Sequence, residues 1–276
     1  MNEAVTLLTR TEFPRSAKYD PHWMMEHQMG PNAVWLTEWL TGAMVLEPGM
    51  RVLDLGCGKA MSSIFLAKEY GVGVWAADLW ISPDHNWRRV CEAGVDDLVC
   101  PVKAEAHSLP FAQGFFDAIV SIDSYHYFGT DQLYLAYVTG LLRTGGQIGI
   151  VTPGLVQAIE GEVPSHLMQP QANGKRFWED EFRGFHTAEW WADLWTKSGK
   201  LNGVSADLLP GGWRAWADFE RACEMAGKNH FPSDAEALER DGGRYMGFVR
   251  AVGSKVPTDA MNYYDPALGA VVGVDR

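Results

Sequence analysis

Arg51-Val-Leu-Asp-Leu-Gly-Cys-Gly-Lys-Ala60, followed by Asp78 at the end of Val72-Gly-Val-Trp-Ala-Ala77, reads as a strand, a glycine turn, a helix start and a second strand closed by a carboxylate. That order is how an open α/β sheet holds the ribose of a nucleotide-like ligand. Gly56 and Gly58 let the backbone turn sharply where a Cβ would collide. The pattern predicts binding of an adenosine-containing small molecule.

Outward from this turn, strand and helix alternate. Lys59 to Tyr70 carries Met61, Ile64 and Phe65 at helical spacing and stops at Gly71. Ser82 then caps a helix with Pro83 at its first position, Trp87, Val90 and Cys91 on one face, and Gly94 as its stop. Leu98 to Val102 and Phe116 to Ile122 read as strands three and four. Thr130 can cap a helix with Leu133, Ala136, Tyr137 and Leu141 on one face, and Gly145-Gly146 leads into a fifth strand, Gln147 to Thr152. Two more strands are expected at Leu201 to Leu209 and Tyr245 to Val252, with amphipathic helices following Thr187 and between Gly212 and Gly227. The expected fold is an α/β, Rossmann-like, seven-stranded and mostly parallel sheet with helices on both faces, plus helical lid insertions.

Composition narrows the partners. With 276 residues, 47% hydrophobic and 21% charged, the chain can bury one large core. A formal net charge of -12 opposes binding to nucleic acid or an acidic membrane face, and favours a small-molecule substrate. No long apolar run suggests a membrane span, and the N-terminus lacks the apolar core of a signal peptide, so a cytoplasmic location is expected; self-association is left open. The four cysteines form no C-x-x-C pair and are read as reduced thiols. No metal site is indicated, because the eight histidines show no paired spacing with a nearby carboxylate.

The spacing of small residues separates two cofactor classes. A dinucleotide site asks for a third small residue at position 61, where Met61 stands. The pattern D-x-G-x-G-x-G is met instead by Asp54, Gly56 and Gly58, with Ala60 in the last place. Here the chain resembles the class I S-adenosylmethionine-dependent methyltransferases of small-molecule type. Glu105-Ala-His-Ser-Leu-Pro-Phe111 is similar to the family's segment after strand three, Phe116-Asp-Ala-Ile-Val-Ser121 to its strand four, and Leu141-Leu-Arg-Thr-Gly-Gly146 to its following turn.

The resemblance implies S-adenosyl-L-methionine as cofactor. Gly56, Cys57 and Gly58 would approach its methionine part, with Asp54 organising the ammonium group. Asp78 would accept from both ribose hydroxyls, Leu79 or Trp80 would cover adenine, and Glu105 and Ala106 would meet its amine and ring nitrogen. Ser121, at the end of strand four, and Tyr19, in an N-terminal lid, complete the expected cofactor set; Tyr19 equally fits a helix packed on the sheet. Past strand four, His126 is the candidate general base, because an unperturbed imidazole titrates near pH 6.5. Packing under the cofactor is the rival role, and Asp123 is the candidate to orient the cofactor or the histidine.

Several of the twelve tryptophans fall at 178, 190, 191, 195, 213 and 216, and suit either an aromatic lid or ordinary helix packing. The expected organisation is one methyltransferase domain over 1–276. It comprises an N-terminal lid (1–45), a cofactor core (46–155), lid insertions (156–186 and 210–243) and the C-terminal part of the sheet (187–209 and 244–255). The expected activity is methyl transfer to oxygen, nitrogen or carbon of a small metabolite or natural product. The alternatives are an NAD-dependent oxidoreductase and a non-catalytic module that binds S-adenosylmethionine.

Overall fold

Val52, Leu53 and Leu55 are buried because their strand, β1 (Arg51–Leu55), has neighbours on both edges and helices over both faces. The computed structural model describes residues 3–257, without the side chains of Asp180 and Glu181. The expected domain span of 1–276 therefore includes residues 1–2 and 258–276, which lie outside the described residues.

β2 (Gly73–Asp78) and β3 (Val99–Lys103) extend the sheet parallel to β1 on one side, and β4 (Phe116–Ile122) and β5 (Leu142–Leu155) extend it on the other. β6 (Leu201–Leu208) and β7 (Met246–Lys255) complete the order β3-β2-β1-β4-β5-β7-β6, with β7 antiparallel to both β5 and β6. The seven-stranded, mostly parallel sheet is as expected. Its order reverses between β1 and β4, and a crevice at the carboxyl ends of those two strands is where open sheets place their ligands.

One face of the sheet is covered by α3 (Ala33–Thr41), α4 (Met61–Tyr70) and α5 (Pro83–Ala93), whose Leu40, Ile64 and Val90 pack on Val52, Val74 and Val120. The other is covered by α6 (Gln132–Gly140) and α8 (Ala188–Lys197), with Leu135, Val138, Trp191 and Trp195 over Leu53, Ile119 and Ile150. A third cluster joins α1 (Glu3–Leu7) and α2 (Pro21–His27) to α9 (Gly212–Ala226) through Met25, Trp35 and Phe219. The insertion after β5 holds the single turn α7 (Ser165–Met168), and α10 (Ala235–Asp241) follows α9.

Three readings of the sequence are corrected. In α5 the sheet is met by Asn86 and Val90, while Trp87 and Cys91 are exposed. Asp131, not Thr130, caps α6 by accepting from Leu133 N and Tyr134 N, and the buried face is Tyr134, Leu135, Val138 and Thr139; Leu133 is 85% exposed. Trp191, Trp195 and Trp216 are buried in the core, the ordinary helix packing that their spacing allowed. The lid expected over 210–243 is a packed helix pair, α9 and α10, because α9 buries Trp216, Phe219 and Cys223. Among the described residues no helix is long and apolar enough to cross a membrane.

Candidate functional site

The turn after β1 runs through the left-handed region three times, at Gly56 (φ 75°), Gly58 (φ 52°) and Ala60 (φ 63°). It is bolted to the end of β2: Gly56 N and Cys57 N donate to Ala77 O at 2.8 and 3.1 Å, and Gly58 N donates to Asp78 Oδ2 at 2.8 Å. A Cβ on Gly56 would collide with Ser124 Oγ, so the bare Cα lets the loop after β4 close on the turn. At Gly58 a Cβ would reach within 3.3 Å of Met29 Sδ, which places an N-terminal strap over the turn.

Asp78 is held before any ligand arrives. Its Oδ1 accepts from Trp80 N and Ile81 N, both at 2.8 Å, and its Oδ2 from Gly58 N. A carboxylate offers about four acceptor directions, so without rearrangement there is room for one ribose hydroxyl, not the two expected. Leu79 and Trp80 follow it in the open, 50% and 69% exposed, where a flat aromatic base could lie. The nearby Cys57 thiol is buried and pushed well up, chiefly by that burial, so it packs and does not react. Asn86, which sequence reasoning missed, donates from Nδ2 to Gly58 O at 2.9 Å and fixes the turn from α5.

Several expected ligand residues are otherwise engaged. Asp54 is fully buried; its Oδ2 accepts from Ser62 and Ser63 Oγ at 2.5 and 2.6 Å, tying β1 to α4, and its Oδ1 has no partner among the described residues. Burial lifts this carboxyl to about 6 against the two serine hydrogen bonds. Ser121 Oγ donates to Leu55 O at 2.8 Å and meets Ser124 Oγ at 2.8 Å, so it staples β4 to β1. Glu105 turns onto His107, accepting from its backbone N and pairing with its Nδ1, both at 2.9 Å, instead of presenting its carboxylate to an adenine amine. The hydrogen bond from His107 holds its carboxyl below the usual range, and the Ala106 N–H leans on the same carboxylate. Tyr19 leaves the site: its hydroxyl reaches Glu69 Oε1 at 3.5 Å and its ring packs on Trp23 and Phe65, near the end of α4 remote from the turn. The packing alternative for Tyr19 is the one observed.

Beyond β4 the chain makes the sharp bend that carries the two candidate catalytic residues. Asp123 takes a left-handed conformation (φ 55°), and its backbone N donates to Val151 O at 2.8 Å. Such a conformation in a residue other than glycine costs about 1–2 kcal/mol and is tolerated best by Asp and Asn. Among the described residues its carboxylate has no hydrogen-bond partner, and it stands against Gly30, where a Cβ would lie 2.6 Å from Oδ2. Burial first, and the Glu220 carboxylate second, raise it to about 8. His126 is 5% exposed, its Nδ1 lacks a partner among the described residues, and its ring packs on Tyr127 and Phe185 with centroids at 4.0 and 5.3 Å. Burial pushes it down to about 3, which makes it a poor proton acceptor at neutral pH.

Met29, Gly30, Asn86, Ser124 and Glu220 are the site neighbours that sequence reasoning missed. The D-x-G-x-G pattern signalled where the turn is but not what packs on it. Among the described residues no group of three or more His, Cys, Asp or Glu side chains could hold a metal ion.

Residues 52–146 match the family described as a methyltransferase domain. A sarcosine/dimethylglycine N-methyltransferase of Halorhodospira halochloris is 32% identical over 126 residues, 45% of this chain and 44% of that protein. The matches span less than half the length of the first four curated relatives. Among solved structures, the fold resembles phosphoethanolamine N-methyltransferase 2 of Haemonchus contortus in complex with S-adenosyl-L-methionine (TM-score 0.64, 16% identity, covering 92% of this chain and 60% of that one). It also resembles the [4+2]-cyclase SpnF (TM-score 0.59, 19% identity, covering 82% and 81%).

Proposed function

With residues 52–146 belonging to the class I S-adenosylmethionine-dependent methyltransferase family as the premise, we propose that the chain transfers a methyl group from S-adenosyl-L-methionine to a small molecule. The observation that carries this reading is Asp78, preset by three backbone N–H groups at the crevice where the strand order reverses, one of them from the glycine turn itself. A carboxylate fixed in this way and still holding acceptor capacity suits a ribose hydroxyl. The turn beside it, with Gly58 under Met29 Sδ, suits the amino-acid end of the same molecule.

When bound, S-adenosylmethionine supplies an electrophilic methyl on a sulfonium. The chain's own residues then have three tasks. Asp78 and the turn orient the donor; the strap at Met29 and Gly30 keeps water from the turn; and Asp123 takes the proton that an acceptor must shed. Asp123 replaces His126 in that last task, because a carboxyl raised to about 8 is matched to neutral pH and an imidazole lowered to about 3 is not. His126 is assigned to packing against Phe185 and Tyr127. The exposed thiols Cys91 and Cys100 favour a reducing compartment such as the cytoplasm.

Calorimetric titration with S-adenosylhomocysteine tests the reading without any acceptor. The wild-type chain is expected to bind it saturably. Asp78→Ala should weaken binding by about tenfold to a hundredfold, the worth of a hydrogen bond to a charged group. Saturable binding of NAD with no binding of S-adenosylhomocysteine would overturn the proposal.

A further inference from the structure

Glu105 and His107 form a pair on the loop after β3, and that loop starts at the crevice edge. Lys103 is in register with Asp78, and Ala104 N donates to Asp78 O at 3.0 Å, so Glu105 follows directly on the strand end that carries the ribose carboxylate. Both side chains are open to a ligand, 47% and 59% exposed. The backbone under them is fixed from α6. Tyr134, itself buried, donates its hydroxyl to Ala106 O at 3.2 Å and meets the His107 ring edge-on with centroids 5.0 Å apart. Tyr137 Oη accepts from Leu109 N at 2.7 Å.

The carboxylate of Glu105 is divided between two donors. Oε2 accepts from the His107 backbone N–H and Oε1 from the ring at Nδ1, both at 2.9 Å. The hydrogen bond from the His107 side chain holds the carboxyl below its usual range; an ionised carboxylate only accepts, so Nδ1 carries the proton. The two donors differ in permanence. The backbone N–H is always present, whereas the ring's charge and the place of its proton change between about pH 5 and 8. Oε1 can therefore be let go while Oε2 keeps the carboxylate at the crevice edge.

We propose that His107 is a positioning residue that competes with the adenine amine of the methyl donor for Glu105 Oε1, so that the chain takes up its cofactor more weakly when His107 is protonated. The assignment rests on the methyl-transfer reading above and adds a control at the adenine end of that site. A protonated imidazole holds Oε1 by charge and by a hydrogen bond, and the incoming amine must displace both. A neutral one offers the hydrogen bond alone, or carries its proton on Nε2 and offers Oε1 nothing. The other polar groups around the pair leave this control to His107. Burial pushes the Tyr134 hydroxyl up, so it stays protonated; Asp131 caps α6 through Leu133 N and Tyr134 N; Asp78 on β2 accepts from three backbone N–H groups; and Lys103 is exposed at the end of β3.

The test titrates the full chain in a calorimeter at about pH 5.5 and about pH 8, the two sides of histidine's range. The ligands are S-adenosylhomocysteine and S-inosylhomocysteine, in which a carbonyl oxygen that cannot donate replaces the adenine amine. At the higher pH the wild-type chain is expected to prefer S-adenosylhomocysteine by about tenfold or more, the worth of a hydrogen bond to a charged group. At the lower pH that preference should shrink by about twofold to fivefold, the range for an exposed ion pair. His107→Ala should keep the full preference at both pH values, and Glu105→Ala should lose it at both. The buried carboxyls of Asp54 and Asp123 titrate alike in wild type and His107→Ala, so the difference between the two chains isolates His107. A ring that only packs on Tyr134 would instead make His107→Ala weaken both ligands by one factor at both pH values. That result, or a wild-type preference that is absent or equal at the two pH values, overturns the control by His107 alone, provided the chain still binds S-adenosylhomocysteine. Failure of the wild-type chain to bind S-adenosylhomocysteine at either pH overturns the methyl-transfer reading itself.

Discussion

Asp123 and His126 lie three residues apart, and burial drives them in opposite directions: the carboxyl up to about 8, the imidazole down to about 3. In both cases the neutral form is favoured where water is scarce. The consequences for stability have opposite signs. Between about pH 4 and 8 the folded chain holds protons on Asp123 and Glu220 that the unfolded chain has lost, so stability falls as pH rises, by up to about 1.4 kcal/mol per pH unit for each proton. Asp54, raised to about 6, adds to this trend on the acid side. Between about pH 6.5 and 3 the unfolded imidazole of His126 takes a proton that the folded one refuses, so stability falls as pH drops. Melting curves should therefore show stability rising from pH 9 to about 7, with Glu220→Gln flattening that limb. His126→Phe should relieve part of any loss below pH 6. A wild-type curve flat from pH 7 to 9 would contradict the raised carboxyls.

At the scale of elements, the glycine turn between β1 and α4 works by what it excludes. Gly56 has φ 75°, and its Cα faces Ser124, whose hydroxyl donates to Leu55 O at 2.9 Å. Gly56→Ala should cost about 1–2 kcal/mol for the left-handed backbone, with a further collision against Ser124. Its melting temperature and its S-adenosylhomocysteine affinity should fall together. Adding Ser124→Gly should recover the part due to collision and leave the backbone part, which a double-mutant cycle measures. The helices teach a different lesson. Apolar spacing located α5 and α6 within a residue, yet it put exposed Trp87, Cys91 and Leu133 on their buried faces. Which stripe of a helix is buried depends on the sheet it lies against, and α5 and α6 each meet that sheet through a narrower set than their apolar residues suggest.

The molecule as a whole is closed over the turn by its N-terminal arm. Lys59 Nζ donates to Glu26 O and Gln28 O at 3.3 and 3.2 Å, Gln28 Nε2 donates to Lys228 O at 2.7 Å, and Glu26 pairs with Lys228. Gln28 Oε1 also accepts from Gly30 N, so one side chain braces the strap and ties it to the end of α9. The backbone amides of residues 26–32 should exchange more slowly once S-adenosylhomocysteine is bound. Gln28→Ala should speed their exchange in the free chain by about twofold to tenfold, the range for one lost hydrogen bond. Exchange unchanged by both treatments would remove the strap from the binding cycle.

Local rules were enough for the sheet, the turn and Asp78: β-branched runs, glycines at left-handed positions and a carboxylate at a strand end act over a few residues and are written in order along the chain. The same rules could not see that Glu105 would turn to its neighbour His107, or that Tyr19 would find Glu69 fifty residues away. Nor could they see that Met29 and Ser124 would close on the glycine turn. Such outcomes were decided only when the elements packed together, because the partners and electrostatics of a side chain depend on every element around it and not on its place in the sequence alone.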